Sequence, residues 1–232
     1  MNVRDEVAAL GRFLRAPRRR PGPRLNARPW LPRLLVLAVS TIAVAILVDA
    51  ATTPLATWAG LESKFPDKVT PRLLFLALVF APIGEELLFR AGLRRADYTL
   101  AIGPALLTLA IAPWVRTTFV VLAAWAIAAL AINRLLARHT LRRPGARFAL
   151  GRRFIAHYAW IFWGYTVAFA LMHIGNYSGS GPRGTVVPLL VLPQFVIGTV
   201  LGYLRLRDGL RSSMLMHFLV NCSAMALLGV SP

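Results

Sequence analysis

The sequence predicts an all-α polytopic transmembrane bundle of about seven spanning helices, and three observations predict it. The chain is 57% hydrophobic and 16% charged, with a mean hydropathy of +0.60, which is too apolar for an ordinary soluble domain. Its apolar residues gather into seven stretches of spanning length. Lipid offers no partners to backbone N–H and C=O groups, so such stretches are helices rather than strands of an open sheet. The basic residues also alternate between successive connections. With the N-terminus inside, twenty-two of the twenty-seven Lys and Arg fall on inner segments and five on outer ones. That bias predicts a cytoplasmic N-terminus, and seven spans then place the C-terminus outside.

Taken in order, residues 1–33 are basic and Pro-rich and hold the cluster Arg18-Arg19-Arg20. They lack the short charged start and apolar core of a cleavable leader, and read as a cytoplasmic N-terminal tail. The transmembrane domain covers 34–232, with apolar stretches at 34–58, 72–95, 98–115, 117–136, 154–174, 185–204 and 212–230. The third is short and carries Pro104 and Pro113. Residues 137–153 form a basic inner loop, and 176–184, dense in Gly, Ser and Pro, are expected to be irregular. Gly198 and Gly202, one helical turn apart, mark close helix packing.

The net charge of +18 would suggest nucleic acid in a soluble protein. Here the charge lies where topology requires it, so the expected surroundings are the lipid bilayer of the cell membrane, with no nucleic acid partner. Cys222 is the sole cysteine, which excludes an internal disulfide and a Cys-based metal cluster. It reads as a small packing residue. Asp49 within the first stretch, and His139 and His157 in or beside the basic loop, are assigned no role.

Three polar clusters interrupt the apolar stretches. Glu85, Glu86 and Arg90 stand in the second stretch, where each charge costs several kcal/mol unless it is paired, wetted or used. Glu86 and Arg90 are spaced i, i+4 with the acid first, the favourable order for an ion pair. Glu85 lies about 100° round the helix and is free to face elsewhere. Phe169 and His173 share a face in the fifth stretch, and His217 and Asn221 share one in the seventh. A carboxylate, two imidazoles and a carboxamide thus come from three helices.

Such a set can hydrolyse an amide without a covalent nucleophile. A desolvated Glu serves as general base for water, a neutral His orients that water, and a second His with an Asn donates to the oxyanion. The same atoms can instead hold a metal, since two His and one Glu form a known catalytic Zn2+ set. The metal candidates are Glu85, His173 and His217. The residues alone leave both mechanisms open.

In order along the chain, Glu85-Glu86-x-x-x-Arg90, Phe169-x-x-x-His173 and His217-x-x-x-Asn221 resemble the motifs of the CPBP intramembrane proteases. That family includes type II CAAX prenyl endopeptidases and bacteriocin-processing or immunity proteins. The stretch from Gln194 to Leu210 resembles the approach to the family's last motif, and the likeness covers roughly residues 70–230. The resemblance implies Glu85 as the base, His173 as its partner, and His217 with Asn221 at the oxyanion. It implies Glu86, Arg90 and Phe169 as supporting residues, and a membrane-associated peptide or protein as substrate. The family is often labelled metal-dependent, yet a glutamate-dependent mechanism without metal is also described for it, and the metal-free version is the one expected here.

The alternatives from other classes are a catalytically silent membrane protein that binds a partner, as in immunity, and a proton or ion pathway built on the buried acids and imidazoles. Two expectations concern geometry. The stretches 98–115 and 117–136 separate the first two motifs, and an even-numbered insertion leaves the next helix pointing the same way. His173 would lie too deep if its helix entered the membrane at residue 154, so the inner boundary is expected near Trp160, with the preceding residues projecting into the cytosol.

Overall fold

The computed structural model describes residues 3–19, 30–64, 69–100, 142–179 and 183–230, with isolated positions between 103 and 138. Helix α1 (Val3–Arg15) carries Asp5 and Glu6 in its first turn and Arg12 and Arg15 in its last, an order that suits the helix dipole. Helix α2 (Trp30–Trp58) is a run of twenty-nine residues without glycine. It ends at Gly60, whose φ of 62° lets the chain turn back so that its N–H bonds the carbonyl of Thr57 at 3.0 Å. The chain then forms a short strand β1 (Leu61–Ser63).

The Glu-bearing helix starts cleanly. Thr70 caps it by accepting from the Leu73 N–H at 3.2 Å, and Pro71 occupies the first turn, where its missing N–H costs nothing. Helix α3 (Pro71–Phe75) runs into a π-helical turn (Leu76–Phe80), then α4 (Ala81–Arg90) and a closing 3-10 turn (Ala91–Arg94). After the inserted region come α5 (Ala146–Ala156) and α6 (Tyr158–Met172), a 3-10 turn (His173–Asn176), and strand β2 (Tyr177–Gly179). Helices α7 (Arg183–Leu190), α8 (Leu192–Arg207) and α9 (Leu210–Val230) complete the chain.

Most expected stretches fall on these helices, with informative departures. The stretches 98–115 and 117–136 lie almost wholly outside the described residues. The expected helix at 154–174 breaks at His157, where the axis bends by 69° between Ala146–Ala156 and the segment from Tyr158. The segment beyond the bend therefore starts two residues before Trp160. The stretch 185–204 is two helices divided at Val191, because Pro193 belongs to the first turn of α8.

Residues 177–179 of the turn-rich loop are ordered, and this corrects the irregular reading. β2 pairs antiparallel with β1, Leu61 opposite Gly179 and Ser63 opposite Tyr177. The loop after α2 and the loop after α6 thus meet at one end of the bundle. A sequence scan for local turn chemistry has no view of a pairing partner so far along the chain.

Among the described residues, α2 is the one unbroken helix long and apolar enough to cross a membrane, and the bent pair α5–α6 is a second candidate. Large apolar side chains of α2 face outward: Val39 is 69% exposed and Leu47 70%. That is what a lipid-facing surface needs and what water would penalise.

The core is built where α2, α6, α8 and the Glu-bearing helix meet, around Leu34, Phe89, Phe162, Phe169, Leu201 and Leu204, each almost fully buried. Gly198 and Gly202 let α8 approach the aromatic face of α6. A Cβ on Gly202 would stand 2.7 Å from Phe162, and one on Gly198 2.8 Å from Phe169. Gly202→Val is accordingly expected to cost about 2–3 kcal/mol by overpacking. Thermal unfolding of the purified protein in detergent reads this directly.

The segment 1–33 contains more structure than its composition suggests. Glu6 of α1 is buried, with Oε1 2.9 Å from Arg33 Nε and 2.9 Å from Arg207 Nη2, and Arg33 Nη1 donates to Asp208 Oδ1 at 2.6 Å. Phe13 packs edge-on against Phe162, ring centroids 5.0 Å apart. Helix α1 is therefore fastened to the ends of α2 and α8 by a four-residue charge cluster, and to α6 and α8 by the contacts of Phe13 with Phe162 and Tyr203.

Candidate active site

Helix α4 turns Pro82, Glu86, Phe89 and Arg90 inward, the i, i+4, i+7, i+8 face of one helix, and leaves Glu85 at the edge of that face. Glu86 is fully buried. Its Oε1 accepts from His217 Nδ1 at 3.2 Å, its Oε2 accepts from the Ser213 hydroxyl, and Arg90 Nε lies 3.9 Å from Oε2. Arg90, also buried, donates from Nη2 to the Gly198 carbonyl at 3.2 Å and lies over the Phe169 ring, 4.5 Å from its centroid. Gly198 thus admits both the Phe169 ring and the guanidinium, since a side chain there would crowd each of them.

Phe169 is the hub. Besides Arg90 it meets the His173 ring at 4.8 Å, the His217 ring at 5.8 Å and Phe89 at 5.5 Å, centroid to centroid. Its own carbonyl accepts from His173 Nδ1 at 2.8 Å. With a carbonyl opposite Nδ1, the proton of neutral His173 sits on that nitrogen and Nε2 presents a lone pair. His217 turns Nδ1 toward Glu86 and Nε2 toward Glu85.

Both Nε2 atoms converge on one oxygen. Glu85 Oε2 is 3.9 Å from His173 Nε2 and 3.9 Å from His217 Nε2. That oxygen is buried and makes no hydrogen bond among the described residues. The Glu85 side chain retains 21% exposure, whereas Glu86 has none, so the two adjacent carboxylates occupy opposite electrostatic situations.

The structure therefore brings together Glu85, His173 and His217, and groups Glu86, Arg90 and Phe169 behind them. Asn221 is on the same stripe of α9 as His217, but its Nδ2 donates at 2.7 Å to the carbonyl of Ala77 in the π-helical turn. Ser213 was not singled out from sequence. It stands four residues before His217 and touches Glu86 and the Leu201 carbonyl. The signal was present, since Ser213, His217 and Asn221 recur at i, i+4, i+8 in an apolar run.

As a metal site, Glu85, His173 and His217 have suitable donor chemistry, and both imidazoles are oriented through Nδ1 as ligands usually are. Their spacing fits less well. Ligands about 2.1 Å from one tetrahedral ion stand roughly 3.4 Å from each other, against the 3.9 Å separations here. Among the described residues no three His, Cys, Asp or Glu side chains form a metal-binding group.

A groove of about 370 Å³ runs between the Glu-bearing helix and α9. Leu78, Val79, Pro82 and Ile83 line one wall, and Met214, Leu215 and Phe218 the other, with Arg211 also at its edge. It flanks the two helices that carry Glu85 and His217.

The type II CAAX prenyl endopeptidase Rce1-like family matches residues 68–223, a span that contains all three polar clusters and most of the chain. No curated protein and no solved structure matches the chain. The family's members are membrane-embedded proteases of the CAAX type, which accounts for ionisable residues held among apolar helices. On this match, the chain belongs to the Rce1-like family of type II CAAX prenyl endopeptidases.

Proposed function

We propose that the protein is an intramembrane endopeptidase that cleaves a peptide bond of a membrane-associated substrate with a water activated by Glu85. The observation that carries this reading is the buried Oε2 of Glu85, which makes no hydrogen bond among the described residues and faces the Nε2 atoms of His173 and His217. A separation of 3.9 Å is too long for a direct hydrogen bond and suits one water bonded to both groups.

In the proposed reaction, that water donates one hydrogen to Glu85 Oε2 and the other to the His173 Nε2 lone pair. Its oxygen attacks the scissile carbonyl carbon as Glu85 takes the first proton, and the carbonyl pair moves onto oxygen. His217, held at Nδ1 by the Glu86 carboxylate, donates from Nε2 to that oxyanion. Asn221 offers the N–H that is not committed to Ala77. When the tetrahedral intermediate collapses, the C–N bond breaks and the Glu85 proton passes to the leaving amine. Glu86, Arg90, Ser213 and Phe169 hold the two imidazoles in register. A Zn2+ held by Glu85, His173 and His217 would instead act as a Lewis acid. No step above passes through a metal.

We place the protein in the cell membrane with seven spans and a cytoplasmic N-terminus, on the distribution of Arg and Lys. The groove beside Pro82 and Phe218 suits an apolar part of the substrate. The test is cleavage of a lipid-anchored peptide by purified protein in liposomes, with and without chelator. Cleavage that persists in chelator supports the glutamate mechanism. Loss that added zinc restores would replace it with the metal mechanism, and no cleavage by folded protein would favour a silent binding protein.

A further inference from the structure

The π-helical turn ahead of Glu85 leaves one carbonyl without a donor in its own helix. In an α-helix, the Ala77 carbonyl would accept from the N–H of residue 81. Here the Ala81 N–H bonds the carbonyl of Leu76, five residues back. The next donor in that wider register belongs to residue 82, which is proline and has no N–H. A bare carbonyl among apolar helices costs several kcal/mol. The carboxamide of Asn221 supplies the missing donor, its Nδ2 2.7 Å from Ala77 O.

We propose that Pro82 and Asn221 are a matched pair, in which the Asn221 side chain replaces the Pro82 N–H and fixes the π register that presents Glu85 to the Nε2 atoms of His173 and His217 while Glu86 holds His217 Nδ1. The role given to Glu85 rests on the protease reading. The π turn inserts one residue into the helical count, so downstream side chains are rotated by about 100° relative to a continuous α-helix. Glu85 and Glu86 differ by that same angle. A helix that lost its π turn while α3 stayed docked would turn Glu85 onto the face that Glu86 now holds and carry Glu86 about 100° further round. Asn221 lies one turn beyond His217, so the same bond also sets the height of α9 against the Glu-bearing helix. In this role Asn221 is a positioning residue, acting through Ala77 and the helix register.

The test is a double-mutant cycle on the full chain in detergent, with Asn221→Ala, Pro82→Ala and the pair. Alone, Asn221→Ala is expected to lower the unfolding midpoint by about 5 °C. In the Pro82→Ala background the restored N–H can reach Ala77, and the drop should shrink to less than half. Equal drops in both backgrounds would overturn the pairing. Asn221→Asp, which keeps the shape and loses the donor, should behave as Asn221→Ala; a full-strength midpoint for it would overturn the proposal as well. If Asn221→Ala does not fold, recovery of folding by Pro82→Ala supports the pairing, and failure of the double variant contradicts it.

Positioning is read separately in cleavage. Pro82→Ala should raise the kcat of Asn221→Ala by about tenfold. Rescue of stability without rescue of kcat would overturn the positioning role. Absence of cleavage by the wild type would instead sink the protease reading, while the unfolding cycle still decides whether Pro82 and Asn221 are coupled.

Discussion

Glu85→Gln is expected to abolish peptide cleavage, with a loss of about a thousandfold in kcat, and to leave the fold intact. Removing a general base typically costs about 10²–10⁴. The fold should be indifferent because Glu85 Oε2 makes no hydrogen bond among the described residues and the side chain keeps partial exposure. An amide of the same shape disturbs no partner. The adjacent Glu86→Gln should behave in the opposite way. Glu86 is fully buried against His217, Ser213 and Arg90, so its charge is part of the structure. Circular dichroism and unfolding midpoints, measured beside kcat, separate the two variants.

The second large effect is expected at Arg90. Arg90→Leu leaves the buried Glu86 carboxylate without its guanidinium, and breaking one half of a buried ion pair costs about 3–5 kcal/mol. It also removes the donor to the Gly198 carbonyl and the cation over Phe169. Because Phe169 touches both imidazoles, the loss should spread to the site. Arg90→Lys should not rescue it fully, since an ammonium cannot reach Gly198 while also stacking flat on the ring. Chemical unfolding in detergent would show a strongly lowered midpoint for Arg90→Leu; a midpoint near wild type would contradict the structural role of this arginine.

Much of this site was legible in the chain. Charged and imidazole side chains stand out against apolar stretches because hydrocarbon penalises them, and helical spacing assigns each to a face. The separation of Glu85 from Glu86 followed from one residue of helical rotation, and the close packing at Gly198 and Gly202 from their spacing. Other features depend on distant partners and left no local mark. The π turn needs Pro82 and Asn221 to be read together across α9, and β1 finds β2 only after the bundle has folded. Residues 1–33 read as a tail because they are basic and Pro-rich. Glu6 is instead satisfied by Arg33 and Arg207, which local patterning does not connect.

The central claim is that Glu85 activates a water held by His173. The most direct measurement is mass-spectrometric detection of cleavage in a library of membrane-associated peptides by purified protein, comparing wild type with Glu85→Gln and His173→Ala. The account predicts a defined set of cleaved bonds with the wild type and none with either variant, both remaining folded. Cleavage that survives Glu85→Gln would contradict it.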